Sequence, residues 1–213
     1  MKVYTTRSRI FQRQQERRIR RRKRRNKILL VFSAIALSFL LIYIGLSSVE
    51  KIGKKINDIK YPVSYSSYIT KYAKKNDLDP YLVIAIIKQE SNFVPDAKSA
   101  YAGGLMQLTE VTAHEYAQKL GLENYNYMDP ETNIQIGCYV LATLIDKYGN
   151  TDTALAAYNA GVGNVDSWLE NPDYSRDHKT LYHIPFSETR HYVQKVNQYI
   201  EIYTNQAVYE TEE

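Results

Sequence analysis

The chain has 213 residues, enough for one ordinary domain with appendages, and its net charge of +5 is distributed very unevenly. Residues 1–27 hold thirteen Lys and Arg against one acid, Glu16, whereas residues 28–213 hold fifteen basic and twenty-two acidic residues. The basic balance belongs to the tail, so a nucleic-acid reading would rest on that tail alone and no nucleic-acid partner is expected. The single cysteine, Cys138, excludes an intramolecular disulfide, and the domain must stand on its hydrophobic core.

In chain order, the basic tail at 1–27 is followed by residues 28–46, nineteen residues without a charge. At about 1.5 Å rise per residue they approach the ~30 Å hydrocarbon core of a bilayer. The Lys and Arg on their N-terminal flank predict a cytoplasmic N-terminus. A cleaved secretory signal fits less well, because no A-x-A-like site follows and the charged region is unusually long. The expected arrangement is a single uncleaved span, with the rest of the chain extracytoplasmic. Thirteen basic residues beside a span would also attract anionic lipid or a cytoplasmic partner, although they serve equally as a topology signal. Val49, Ile52, Ile56 and Ile59 then form a helical stripe in a stalk or linker at 47–62, ended by Pro62.

The outer domain, 63–205, reads as mainly α-helical. A helix is predicted over 66–76. Asp79-Pro80 opens the next, an N-cap residue followed by proline at a favoured first position, and an apolar run carries it to Glu90 and Ser91. A glycine loop around Gly103-Gly104 leads to a helix over 112–119, stopped by Gly121. Asp129-Pro130 opens a strong helix with Ile134, Cys138, Leu141, Leu144, Ile145 and Tyr148 on one face. A short helix over 153–158 ends at Asn159-Ala160-Gly161. Ser187 caps a last helix with Tyr192, Val193, Val196, Ile200 and Tyr203 inward. A short hairpin has room near 174–184, and an acidic tail occupies 206–213. Cys138 reads as a small buried hydrophobe, and Trp168 as a packing anchor.

A carboxyl at the end of a buried helix lies beside apolar surface, which disfavours its charged form and raises its pKa toward the range a general acid needs. Glu90 therefore stands out, and three stretches downstream accompany it: Gly104-Leu105-Met106-Gln107, Ala157-Tyr158-Asn159-Ala160-Gly161, and Ser187-Glu188-Thr189-Arg190-His191-Tyr192. Each alone has a dull structural explanation. In this order and spacing they resemble the soluble lytic transglycosylase (SLT) domain family of the lysozyme-like superfamily, and Asp129-Pro130-Glu131-Thr132-Asn133-Ile134 resembles a mainly structural signature of it.

The resemblance implies a lysozyme-like helical domain, here on a single N-terminal transmembrane helix. It implies a peptidoglycan lytic transglycosylase that cleaves the β-1,4 bond between N-acetylmuramic acid and N-acetylglucosamine. Glu90 would protonate the glycosidic oxygen. The muramic acid's own 6-hydroxyl would then attack C1 with the same glutamate as base, leaving a 1,6-anhydro end. Tyr158 would hydrogen-bond and orient the carboxyl, with Asn159 beside it. Gln107 would contact the saccharide, Ser99 would line the cleft, Ser91 would fix the helix end or help hold the carboxyl, and Glu188 would lie toward the peptide-bearing side. Arg190 and Tyr192 match packing and cleft-wall positions equally well.

Two departures stand out. The loop from Ser99 to Gly104 is one residue short, with Tyr101 near a usual glycine, and Thr109-Glu110 replaces a common Met-Pro. Glu110 facing Glu90 across the cleft would raise the acid's pKa or support hydrolysis. A hydrolytic muramidase of the same fold, and a non-catalytic wall-binding scaffold of an envelope complex, are the alternative functions. No metal or cofactor is expected, since the four histidines lack zinc-ligand spacing and no phosphate-cradling glycine loop occurs.

Overall fold

A computed structural model of the chain describes the backbone of residues 2–211. Side-chain surroundings are described for residue 11, for 15–48 apart from 28, 31, 34 and 47, and for 61–205. The chain divides into two units, Met1–Ile56 and Asn57–Glu213.

The first unit is helical and belongs to helix α1, Lys2–Lys60, whose last residues fall in the second unit and which ends just before Tyr61-Pro62. A residue preceding proline is steered away from helical geometry, which fits that end. Among the described residues no helix is long and apolar enough to cross a membrane. The span expected at 28–46 includes positions 28, 31 and 34, whose side chains lie outside the described residues, as does the stripe at Val49, Ile52, Ile56 and Ile59. The apolar side chains that are described there are exposed, Leu30 and Phe39 each by 68%.

The second unit is helical: α2 (Ser66–Lys75), α3 (Pro80–Ser91), α4 (Glu110–Lys119), α5 (Pro130–Tyr148), α6 (Thr151–Ala160), α7 (Val162–Leu169) and α8 (Ser187–Thr211), with a two-stranded hairpin, β1 (Ala102–Gly103) and β2 (Leu108–Thr109). The expected tail at 206–213 falls outside the described side chains, while the α8 backbone runs to Thr211. The starts of α3, α5 and α6 follow from local chemistry. Asp79, Asp129 and Asn150 each accept a hydrogen bond from a backbone N–H of the first turn, and proline occupies the first position of α3 and α5.

Helix α3 is the centre of the core. Six consecutive side chains, from Leu82 to Ile87, are buried, so the helix is covered all round, most extensively by α8. Burying each of its large aliphatic side chains contributes roughly 1.5–3 kcal/mol. Helix α5 packs on α2, α4 and α6. Gly137 of α5 lets the helix approach the loop after β1, because a Cβ there would stand 2.3 Å from Met106 Sδ. Cys138 is buried, and burial pushes its thiol up to about 12.

Three local expectations need correction. The hairpin lies at 102–109, not near 174–184. In the latter segment the chain turns and closes through Tyr182 N–H to the Tyr174 carbonyl (3.0 Å), braced by Asp177, which accepts from Lys179 N, Thr180 N and Thr180 Oγ1. Helix α4 begins at Glu110 because the Thr109 hydroxyl caps it, accepting from Thr112 N at 3.1 Å. Helix α7 was not expected. Gly161, at φ 88°, ends α6 and admits the chain at once into another helix, whose Trp168 packs edge-on against Phe186 at 4.8 Å.

Candidate active site

Glu90 stands in the last turn of α3, one residue before its end, and the chain leaves through Asn92 in the left-handed region at φ 51°. Its side chain is mostly withdrawn from water, and this desolvation raises its pKa to about 7. The negative end of the α3 dipole acts in the same direction. One hydrogen bond opposes the rise: Tyr192 Oη, from α8, donates to Glu90 Oε1 at 2.8 Å. Among the described residues no second carboxylate contributes to the shift.

The carboxyl's hydroxyl partner is therefore Tyr192, a residue the sequence left between packing and cleft wall, and not Tyr158. The Tyr158 hydroxyl donates instead to the Met106 carbonyl at 2.8 Å. Both tyrosines lie close enough for the charge of Glu90 to raise their phenol pKa values, with desolvation the larger cause.

Around them the loop Gly104-Leu105-Met106-Gln107 is held from several sides. Ser91 turns its hydroxyl inward, toward the carbonyls of Leu105 (2.8 Å) and Ile87 (3.1 Å). It ties the end of α3 to the loop, and because it is buried it is not presented to a ligand, which corrects its placement among substrate contacts. Asn133 of α5 is fully buried and accepts from Met106 N at 2.7 Å. The Gln107 backbone is left-handed, at φ 47°, and its amide nitrogen donates to the carbonyls of Ala97 (3.0 Å) and Gly104 (2.9 Å). Ser99 is exposed and braces the turn before β1, accepting from Ala102 N at 3.0 Å. Tyr101, in the shortened loop, projects from it and is 87% exposed.

Two grooves share Asn159 and Ala160 among their lining residues. One, of about 660 Å³, runs between α4, α5 and α6 and is lined by Gln107, Thr109, Tyr116, Val140 and Tyr158. The other, of about 610 Å³, is walled by Pro185, Phe186, Ser187 and Glu188. Gln107, Tyr158 and Asn159 thus line the first groove and Asn159 and Glu188 the second, with Glu188 exposed at the start of α8. Arg190 serves packing, donating from Nη1 to the Ile184 carbonyl at 2.7 Å. Glu110 lines a different groove, with Val111, His114 and Tyr125, and does not act on Glu90. Among the described residues no cluster of His, Cys, Asp or Glu suits a metal ion.

An acid in a helix end, a glycine-entered loop packed against it and a grooved helical surface define the lysozyme-like class of domain. Residues 67–181 match the family described as the transglycosylase SLT domain, and the chain belongs to that family. It is 37% identical over 147 residues to the soluble lytic murein transglycosylase of Salmonella typhimurium, covering 66% of this chain and 23% of that protein. The membrane-bound lytic murein transglycosylase C of Glaesserella parasuis is 32% identical over 167 residues, covering 66% of this chain and 46% of that one. Among solved structures, an inactive glutamate-to-glutamine mutant of lytic transglycosylase Slt from Pseudomonas aeruginosa superimposes with a TM-score of 0.63 at 35% identity, covering 70% of this chain and 25% of that one. The chain spans about a quarter of the length of the soluble relatives it matches.

Proposed function

We propose that the chain is a peptidoglycan lytic transglycosylase in which Glu90 is the single acid and base. The observation that carries this reading is a desolvated carboxyl, its pKa raised to about 7, that among the described residues takes its hydroxyl hydrogen bond from Tyr192 and is shifted by no neighbouring carboxylate. Glycosidases that activate water or form a glycosyl-enzyme ordinarily need a second carboxylate for that purpose. Here the protonated Glu90 gives its proton to the glycosidic oxygen as the C1–O bond breaks. The resulting carboxylate, held by the Tyr192 hydroxyl, takes the proton of the muramic acid 6-hydroxyl as that oxygen bonds to C1. Glu90 ends protonated and the product carries a 1,6-anhydro ring. A pKa near neutrality suits both halves of such a cycle. The relative from Pseudomonas aeruginosa, inactive when a glutamate becomes glutamine, supports a glutamate as the essential group.

Gln107, Asn159 and Ser99 are assigned to the saccharide-binding surface and Glu188 to its peptide-bearing side. Tyr158 acts on that surface through the loop it holds. Digestion of peptidoglycan and mass spectrometry of the muropeptides tests the reading: anhydro-muramic ends support it, and free reducing ends support a muramidase. No release at all, with Glu90→Gln binding wall as the wild type does, supports a scaffold.

The same proposal places residues 28–46 across the cell membrane, with the basic tail cytoplasmic and the domain outside, facing the wall. The stretch carries no charge, and its described apolar side chains have no protein cover. Ser33 and Ser38 return their hydroxyls to the carbonyls of Leu30 (2.9 Å) and Ile35 (2.7 Å), which is how such groups are satisfied where water is absent. Resistance of the full chain to alkaline extraction from membranes, with protease access to the domain only from the outer side, is the expected result.

A further inference from the structure

Among the described residues, five Ser, Thr and Asn side chains are buried: Ser91, Asn133, Thr153, Ser175 and Thr189. Four of them are hydrogen-bonded, Ser91 to Leu105, Asn133 to Met106, Thr153 to Asn150 and Ser175 to Asp177. The hydroxyl of Thr189, in the first turn of α8 and only 2% exposed, has no partner among the described residues. A helical threonine can return its hydroxyl to a carbonyl one turn back, as Thr143 does to Tyr139 at 2.8 Å, and Thr189 does not. Among the described side chains the only fully enclosed polar atom without a partner is Tyr203 Oη. The unpaired Thr189 hydroxyl is therefore not sealed in, and it opens on the groove of about 610 Å³ that Thr189 lines.

The start of α8 faces the same groove. The first backbone hydrogen bond of this helix runs from Arg190 N–H to the Phe186 carbonyl (3.0 Å). The N–H groups of Ser187, Glu188 and Thr189 are left without an acceptor among the described residues, and all three residues line the groove. A free anion is a poor fit. No Lys, Arg or His lines the groove, Glu188 does, and Arg190 is committed to the Ile184 carbonyl. The other walls include Ala160, Pro185 and Phe186, which are apolar. Clustered donors, one carboxylate acceptor and apolar walls suit a neutral carbonyl with an N–H and a small apolar group beside it, which is the pattern of a peptide backbone.

We propose that the Thr189 hydroxyl and the free N–H groups at the start of α8 form a subsite for a backbone carbonyl of the stem peptide carried by muramic acid, so that the domain selects peptide-bearing glycan over bare glycan. The inference rests on peptidoglycan being the substrate. Thr189 and the α8 amides donate to the carbonyl oxygen, and the Glu188 carboxylate accepts from a neighbouring peptide N–H. Asn159 and Ala160, which this groove shares with the one lined by Gln107 and Tyr158, set the subsite beside the surface assigned to the saccharide. Each sugar also carries an amide carbonyl in its N-acetyl group, so the test separates the two sources.

The probe is N-acetylmuramoyl-L-alanyl-D-isoglutamine, which carries the start of a stem peptide and has no glycosidic bond to cut. N-acetylmuramic acid is the peptide-free control. Each is titrated into the full chain in detergent and followed by the backbone amide signals in nitrogen–proton correlation spectra. The dipeptide should shift the Ser187, Glu188 and Thr189 amides, and the bare sugar should leave them in place. Thr189→Val keeps the shape of the side chain and removes its hydroxyl, and should weaken dipeptide binding about tenfold. Thr189→Ser restores the hydroxyl and should bind within about twofold of the wild type. Amides that do not move, an equal response to N-acetylmuramic acid, or Thr189→Val binding the dipeptide as tightly as the wild type overturns the proposal. The amide map needs no variant, so it decides the matter even if Thr189→Val does not fold. Binding is read without turnover. A chain that binds the dipeptide in this way and releases no muropeptides refutes the enzymatic reading and leaves the subsite standing.

Discussion

Glu90 and Glu110 are the same side chain at opposite ends of consecutive long helices, and their surroundings separate them. Glu90 sits in the last turn of α3, partly buried and at the negative end of the helix dipole. Glu110 is the first residue of α4, exposed, at the positive end of its helix. Burial and dipole work against a charge at the first, whereas the second lies open to solvent. The difference teaches that the role proposed for Glu90 rests on what its helix end is packed against, and that a nearby glutamate in the same motif region acquires no such surroundings from proximity in sequence.

Exchanging each glutamate for glutamine is the most severe way to break this comparison. Glu90→Gln should lower muropeptide release by about a thousandfold or more, since the proton donor is removed. Glu110→Gln should change the rate less than about twofold, as expected of an exposed position. Comparable losses in both, measured on the same purified wall, would place Glu110 in the site.

The second effect is on stability and has the opposite sign. Folding holds the Glu90 proton up to about 7 against 4.5 for the free side chain. Between those values the folded state binds more protons than the unfolded, so stability falls as pH rises through that window. Glu90→Gln should therefore stabilise the domain by about 3 kcal/mol at pH 8 and by almost nothing at pH 4. Denaturant unfolding at the two pH values reads this directly.

A smaller perturbation sharpens the account of Glu90 alone. Tyr192→Phe removes the hydrogen bond that stabilises the carboxylate, so the Glu90 midpoint should move above 7 and activity at pH 7 should fall about tenfold. The pH–rate profile should shift to the alkaline side, and an acid shift would contradict the assigned donor. Smallest is the α4 side: Thr109→Ala deletes the cap beneath Glu110 and should cost about 1 kcal/mol of stability, seen as a lowered Tm.

What was legible in the sequence was local. Asp79-Pro80 and Asp129-Pro130 announce two helix starts because capping involves residues two or three positions apart. The apolar run before Glu90 announces its burial. Long-range pairings were not legible from the residues themselves. Which tyrosine reaches Glu90 depends on contacts 102 residues apart, and where the Tyr158 hydroxyl goes depends on a carbonyl 52 residues away. Ser91 was readable either as a helix-end tie or as a ligand contact until Leu105 supplied its acceptor. Helix α7 was hidden by Gly161, which reads as a stop and serves as a hinge between two helices. The hairpin was missed because strands of two residues leave no alternating pattern.

The most direct test of a single-carboxylate acid and base is the mass of the muropeptides released from defined peptidoglycan by the wild-type chain. Muramic ends lighter by one water, in 1,6-anhydro form and absent with Glu90→Gln, are the predicted result. Hydrated reducing ends as the main product would contradict it and would require a water-activating group beside Glu90.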